Sequence, residues 1–185
     1  MEQVLLVIDV QQDLIEGESG EKGVFEKEKL IYNINYVIEK AMREKVQIVF
    51  IRDKDVSGGN GSGFQIHQEI RVPSTATIFD KYATNSFYGT PLLELLHKKD
   101  IEHIVIMGCM TEHCIDTAVR MATVNGFDVT LVGDGHSTAD SEILSADQII
   151  RHHNKTLHGH YNVDHFSVVR NSQEDVFNPN HNKYR

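Results

Sequence analysis

Apolar positions along the chain fall into two rhythms that take turns. The stretches "VLLVIDV" (4–10), "KVQIVFIR" (45–52), "ATIFD" (76–80), "EHIVIMG" (102–108), "FDVTLVG" (127–133) and "HFSVVR" (165–170) are short, β-branched and almost continuously apolar. That is the pattern of strands buried on both faces. Between them the spacing predicts helices over 26–43, 89–99, 112–125 and 141–157, with Gly126 closing the third. In "YGTPLLELL", Thr90 is placed as an N-cap with Pro91 at the first helical position,. Strands alternating with helices predict a doubly wound α/β sandwich around a parallel sheet. Two connections are long for such a fold, 53–75 and 159–165, and read as pocket walls or lids,. "GDGH" (133–136) reads as a turn at the pocket rim. The tail 171–185 is polar and is expected to fray unless a partner subunit holds it,.

A chain of 185 residues with 40% hydrophobic content can bury one sizeable core, so a single domain spanning 1–185 is expected,. The formal net charge of −9, from 27 acidic and 18 basic residues, argues against general affinity for nucleic acid or anionic membrane,. A small polar partner fits better. No segment approaches membrane-spanning length. The start "MEQVLLVIDV" lacks a basic leader and a small-residue cleavage site,. With only two cysteines and no dense framework of them, a reducing, cytoplasmic setting is expected,.

In open parallel sheets ligands bind just past the carboxyl ends of strands. That rule singles out Asp9, Gln11 and Asp13 after the first strand, Lys81 near the third, Thr111 and Cys114 after the fourth, and Asp134 and His136 after the fifth. Each also has an ordinary reading. An aspartate at a strand end often caps a helix or ties a loop, and a lysine is usually a solvated surface charge. Cys114 stands out. With Thr111 as N-cap it falls in the first helical turn, where free N–H groups and the helix dipole favour an anion, so a lowered thiol pKa is expected. Cys109, ending an apolar run, reads as a buried small hydrophobe. The histidines of "RHHNKTLHGHYNVDH" (151–165) do not repeat at metal-binding spacing and read as surface polarity,.

The blocks "LLVIDVQQDL", "FDKYATNSFYGTPLLELL" and "GCMTEHCIDTAVRMATVNGFDVTLVGDGHST" resemble the three signature blocks of the isochorismatase-like cysteine hydrolases, the superfamily that includes nicotinamidases and N-carbamoylsarcosine amidohydrolase. The resemblance covers residue 4 to about 157, with Leu14 standing where the family often has Phe. It implies a Rossmann-like three-layer sandwich with a six-stranded parallel sheet, assembly into a homo-oligomer (dimer or tetramer), and an Asp9–Lys81–Cys114 triad. The implied reaction is cleavage of a C–N bond in a small-molecule amide through a Cys114 thioester. An ether-cleaving isochorismatase is an alternative, against which Cys114 argues; a non-catalytic binding member of the fold is another. The backbone amides of Thr111 and Cys114 are expected to form an oxyanion hole, with a cis Met110–Thr111 peptide bond as in related hydrolases. Gln11, Phe64, His67 and Phe87 are expected to line the substrate pocket. No cofactor is expected, and no metal: the stretch where nicotinamidases carry Asp-x-His reads Asp53-Lys54-Asp55, leaving His67 as a lone ligand,.

Overall fold

The computed structural model describes residues 1–18, 20 and 22–178. Six strands lie parallel: β1 (Glu2–Ile8), β2 (Gln47–Asp53), β3 (Thr77–Lys81), β4 (Ile101–Cys109), β5 (Asp128–Ser137) and β7 (His165–Arg170). A two-residue strand, β6 (Tyr161–Asn162), adds antiparallel to the β7 edge. The order is β3-β2-β1-β4-β5-β7-β6, so the winding reverses between β1 and β4. Crevices for ligands open at such a reversal.

Alternation along β1 explains the layers. Val4, Leu6 and Ile8 face α4 (Leu92–Lys98) and α5 (Asp116–Val124), joining Leu92, Leu96, Ala118 and Ala122 in one core. Leu5 and Val7 point the other way, into a second core with Leu30, Ile34, Val37 and Ile38 of α2 (Lys27–Arg43). The sheet is therefore covered on both faces, as its continuous apolar runs require. Among the described residues, no helix is long and apolar enough to cross a membrane.

Several boundaries differ from expectation for identifiable reasons. Helix α6 runs over Ala146–Leu157 and not from 141, because Ser145 forms a capping box with Gln148,. Pro91 flanks α4, while Thr90 Oγ1 still accepts from Leu92 N at 3.3 Å. "GDGH" is no turn: β5 continues through it to Ser137. Its glycines mark close packing, since a Cβ on Gly133 would lie 2.7 Å from Val169 Cγ1 and one on Gly135 2.5 Å from Met107 Cε,. The tail does not fray over 171–178. Val176 and Phe177 are fully buried against the α2 face, Ser172 is tied to Asp134, and Lys40 donates to the Glu174 carbonyl. Residues 179–185 lie outside the described residues.

The long connection after β2 is stitched back to the start of the chain. His67 N donates to Val10 O, Gln12 N to Gln65 O, and a short helix α3 (Gly61–Phe64) packs by α1 (Gln12–Glu16). This brings the segment after β2 beside the end of β1.

Candidate active site

Asp9 follows β1 with φ of 51°, a left-handed conformation that short polar side chains tolerate and that tends to be kept at functional sites,. Lys81 ends β3 and is completely buried. A buried ammonium needs partners, and it has three. Its Nζ lies 2.9 Å from Asp9 Oδ2 and donates to Cys114 Sγ at 3.3 Å and to Asp53 Oδ2. Asp9, Lys81 and Cys114, distant in sequence, thus meet around one nitrogen. Asp53 completes the cluster and escaped the sequence reading, which took it with Asp55 as a defective metal pattern. Its place at the end of β2 was the signal.

Cys114 sits in a five-residue π-helical segment, Thr111–Ile115, that leads into α5. The Met110 carbonyl accepts from His113 N (3.1 Å) and Ile115 N (3.2 Å). Met110 therefore flanks the helix, and Thr111 is not the N-cap. The Thr111 hydroxyl is used elsewhere, 2.8 Å from His136 Nδ1, whose Nε2 lies 2.8 Å from Asn154 Oδ1. Asn154 Nδ2 donates to Gly133 O, which orients the amide so that its oxygen accepts from Nε2–H,. Nδ1 is then the acceptor of the Thr111 proton. Burial holds the His136 pKa down to about 4, so the imidazole is neutral in this chain of bonds.

The cis peptide bond is Cys109–Met110, one residue before the expected Met110–Thr111. The Met110 carbonyl already receives the helix's first hydrogen bonds. Its peptide plane therefore belongs to the helix, and the change of direction falls on the bond before it.

The charges of the site differ from expectation too. Burial, and then the negative charge of Asp9, push the Cys114 thiol up to about 12, against the pull of Lys81. A helix terminus contributes too little to offset both. Burial raises Asp9 to about 6 even though Lys81 opposes it. For Lys81, burial acts downward, but the charges of Asp9 and Cys114 and the hydrogen bonds of Asp53 and Asp9 outweigh it and raise the pKa. At neutral pH the resting site therefore holds a thiol, a carboxylate and an ammonium. Asp9 Oδ1, deeply buried, has no hydrogen-bond partner among the described residues.

The thiol opens on a cleft of about 410 Å³, the size of a small-molecule site,. Asp9, Asp13, Asp53 and Asp55 contribute to its wall on one hand, and Leu14, Val24, Val56, Met110 and Ala139 on the other. None of the four expected pocket residues is among them. Gln11 is turned inward, its amide bridging Asp53 and Phe64 through Nε2 to both carbonyls and Oε1 to Asp53 N. Phe64 is buried beneath Arg52 and Lys54. His67 binds Glu16 (2.9 Å) and accepts from Glu69 N, and Phe87 belongs to the α4–α5 core. The 159–165 connection also stays out of the cleft wall, being folded into the β6–β7 hairpin.

Among the described residues, Asp9, Asp53 and Cys114 are the group whose ligand atoms lie close enough, within 4.8 Å of one another, to hold a metal. The Lys81 ammonium already binds all three. A divalent ion would meet that fixed positive charge, so the donor set does not fit a metal while Lys81 keeps its place.

Access separates the two cysteines. Cys109 is fully buried at the end of β4, and burial drives its pKa up, whereas Cys114 is on the cleft wall. Iodoacetamide is expected to label Cys114 well before Cys109, at a rate that keeps rising with pH beyond 9 instead of levelling near neutrality. Peptide mapping over a pH series checks both. A plateau below pH 8 would show a thiolate at rest.

Comparison with known proteins puts this geometry in a lineage. The Isochorismatase domain model matches residues 3–153, a span that takes in every residue named on the cleft wall. The isochorismatase family protein YrdC of Bacillus subtilis (strain 168) is 30% identical over 135 residues, covering 70% of this chain and 71% of YrdC. The crystal structure of an isochorismatase family protein superposes with a TM-score of 0.81 at 25% identity, over 91% of this chain and 97% of that one. N-carbamoylsarcosine amidase from Thermoplasma acidophilum shares the fold at a TM-score of 0.73 and 20% identity, over 95% of this chain and 99% of the amidase. A domain match across most of the chain, joined to a shared fold, establishes that this protein belongs to the isochorismatase family of hydrolases.

Proposed function

We propose that the protein is a cysteine hydrolase that cleaves an amide-type C–N bond of a small molecule, with Asp9, Lys81 and Cys114 as its catalytic triad. The observation that carries this reading is a thiol and a carboxylate bridged by one buried ammonium at the mouth of a small cleft. An amidase among the proteins of the same fold is consistent with it.

The chemistry follows from the protonation states. Asp9 takes the Cys114 proton along the side-chain hydrogen bond between them as sulfur attacks the amide carbon,. Lys81 keeps the carboxylate in place and stays beside the developing thiolate, the role of a fixed counter-charge. The backbone amides of Thr111 and Cys114 receive the carbonyl oxygen as it becomes negative, and the Thr111–His136–Asn154 chain holds that turn of backbone. Collapse of the tetrahedral intermediate breaks the C–N bond. Asp9 returns its proton to the departing nitrogen, leaving a thioester and a free amine or ammonia. A water then gives a proton to Asp9 and its hydroxide to the acyl carbon, which releases the carboxylic acid and restores the thiol.

Ammonia release from a panel of small primary amides, with mass spectrometry of the protein for an acyl adduct on Cys114, tests this. The expected result is turnover with a trappable thioester. Because Asp9 must be ionised to act as base, kcat/KM is expected to fall tenfold per pH unit below about 6, with no alkaline limb from the triad below pH 10,. Release of ammonia without an adduct on Cys114 would remove Cys114 as the nucleophile, and a profile with no acid limb would remove Asp9 as the base.

A further inference from the structure

The cleft is unevenly charged. Its wall carries five carboxylates, from Asp9, Asp13, Glu18, Asp53 and Asp55, against one lysine, Lys22. Lys81 below them is used by Asp9 and Asp53. The neighbouring cations Arg52 and Lys54 do not relieve the imbalance, because both pair with Asp80. Among the described residues neither Asp13 nor Asp55 takes part in an ion pair. Asp13 accepts from Ser57 Oγ at 2.5 Å and is backed by Gly63, where a Cβ would lie 1.8 Å from Asp13 Oδ2. Asp55 donates its backbone N–H to Asp53 Oδ1 at 2.9 Å and leaves its own carboxylate exposed. Beyond these rim groups, the cleft holds a buried carboxylate oxygen, Asp9 Oδ1, with no hydrogen-bond partner among the described residues.

From this we infer that the substrate is an amide that also carries a cationic group, an ammonium or guanidinium, which Asp13 and Asp55 hold while the scissile carbonyl meets Cys114. The inference rests on the reading of the cleft as a cysteine amidohydrolase site and adds the class of substrate to it. Three physical arguments favour a cation. Carboxylates lining a concavity raise the local concentration of positive ligands and repel negative ones. The rigid backing of Asp13 lowers the ordering cost of binding. The apolar wall of Leu14, Val24, Val56 and Met110 suits the hydrocarbon that joins a charged end to an amide,. A bound cation also improves the chemistry, since it offsets the negative surroundings that keep the Cys114 proton on sulfur,.

The test compares three primary amides of similar length: 6-aminohexanamide, hexanamide and the monoamide of adipic acid. Ammonia release is measured at low and high salt for the wild-type protein and the Asp13→Asn/Asp55→Asn variant. A charge-assisted contact predicts kcat/KM for 6-aminohexanamide about 10–100-fold above hexanamide, with the anionic amide slowest. The ratio is expected to shrink in high salt and to shrink again, about tenfold, in the double variant. Equal turnover of all three, or a preference untouched by the two substitutions, would overturn the inference while leaving amide hydrolysis standing. If none of the three yields ammonia, the amide-cleavage reading fails for this class of compound while the family assignment stands. Calorimetric titration of the Cys114→Ala protein with the same three compounds then decides the charge question: tighter binding of 6-aminohexanamide supports the inference, and equal or absent binding overturns it.

Discussion

Replacing Cys114 by alanine is expected to lower kcat on any amide the protein turns over by about four to six orders of magnitude, the loss seen when a covalent nucleophile is removed from a site whose other parts stay in place. The size follows from the division of labour. Lys81 retains Asp9 and Asp53 when the sulfur is gone, so the buried charges remain paired. The substituted side chain is small and lies where the core it shares with Ile115 and Ala118 meets the cleft, so its loss removes little packing. Folding should therefore persist while turnover vanishes, which circular dichroism and a single-turnover assay on the same preparation will separate. Activity within tenfold of wild type would mean that the cleft uses another nucleophile or activates water directly. Cys114→Ser is expected to fall close to the alanine variant, because an alcohol in these surroundings is a far weaker nucleophile than a thiol.

Lys81→Met is expected to cost about 3–5 kcal/mol of stability near pH 7.5 in addition to activity, the typical penalty for removing one partner of a buried ion pair. Methionine matches the length of the lysine stem, so packing changes little. What changes is that Asp9 and Asp53 lose the ammonium between them. The pH dependence gives the result its signature. Asp9 in the wild-type fold already has a pKa raised to about 6 by burial, with Lys81 holding it down. Without Lys81 it rises further. A carboxyl whose folded pKa exceeds its unfolded value binds more protons when folded, so its contribution to stability is present at low pH and lost as pH rises through the folded pKa. The deficit of the variant should thus shrink at pH 4.5 and be full at pH 7.5. Denaturant melts at the two pH values measure it. A deficit independent of pH would point to packing instead of unpaired charge.

Much of this was legible in the chain and some was not, and the division has a physical basis. Strands buried on both faces announce themselves by unbroken β-branched runs, and all six parallel strands lie where such runs are. Strand ends, in turn, located Asp9, Lys81 and Cys114 without any knowledge of their contacts. Side-chain direction past a strand end is another matter. Gln11 is two residues beyond Asp9, yet its amide turns away from the cleft to tie down the segments at Asp53 and Phe64. Nothing local in "DVQQD" distinguishes the two outcomes. Phe64 and His67 were misplaced for the same reason: the loop that bears them folds onto α1, a tertiary choice. "GDGH" suggests a turn because its glycines mimic turn chemistry, when they serve close packing against Met107 and Val169. Helix position, a local feature, favours a low Cys114 pKa, while burial and the charge of Asp9, which come from the whole fold, raise it.

The separation between the Lys81 cluster and the cleft wall bears on how the protein can change over time. The residues that would make and break bonds are held at the ends of β1, β3 and the turn after β4, by the most buried part of the sheet. Asp13 and Asp55 stand outside that frame, on a one-turn helix and on a loop whose own shape rests on a few glycines and one serine. Substitutions at the half-buried or exposed cleft positions of those segments, Asp13, Leu14, Asp55 and Val56, can redraw which molecules fit the cleft without disturbing Cys114 or the scaffold beneath it. Descendants of this chain can therefore diverge in diet while keeping one chemistry, and a laboratory library confined to Asp13, Leu14, Asp55 and Val56, none of them fully buried, should retain its folded members at high frequency.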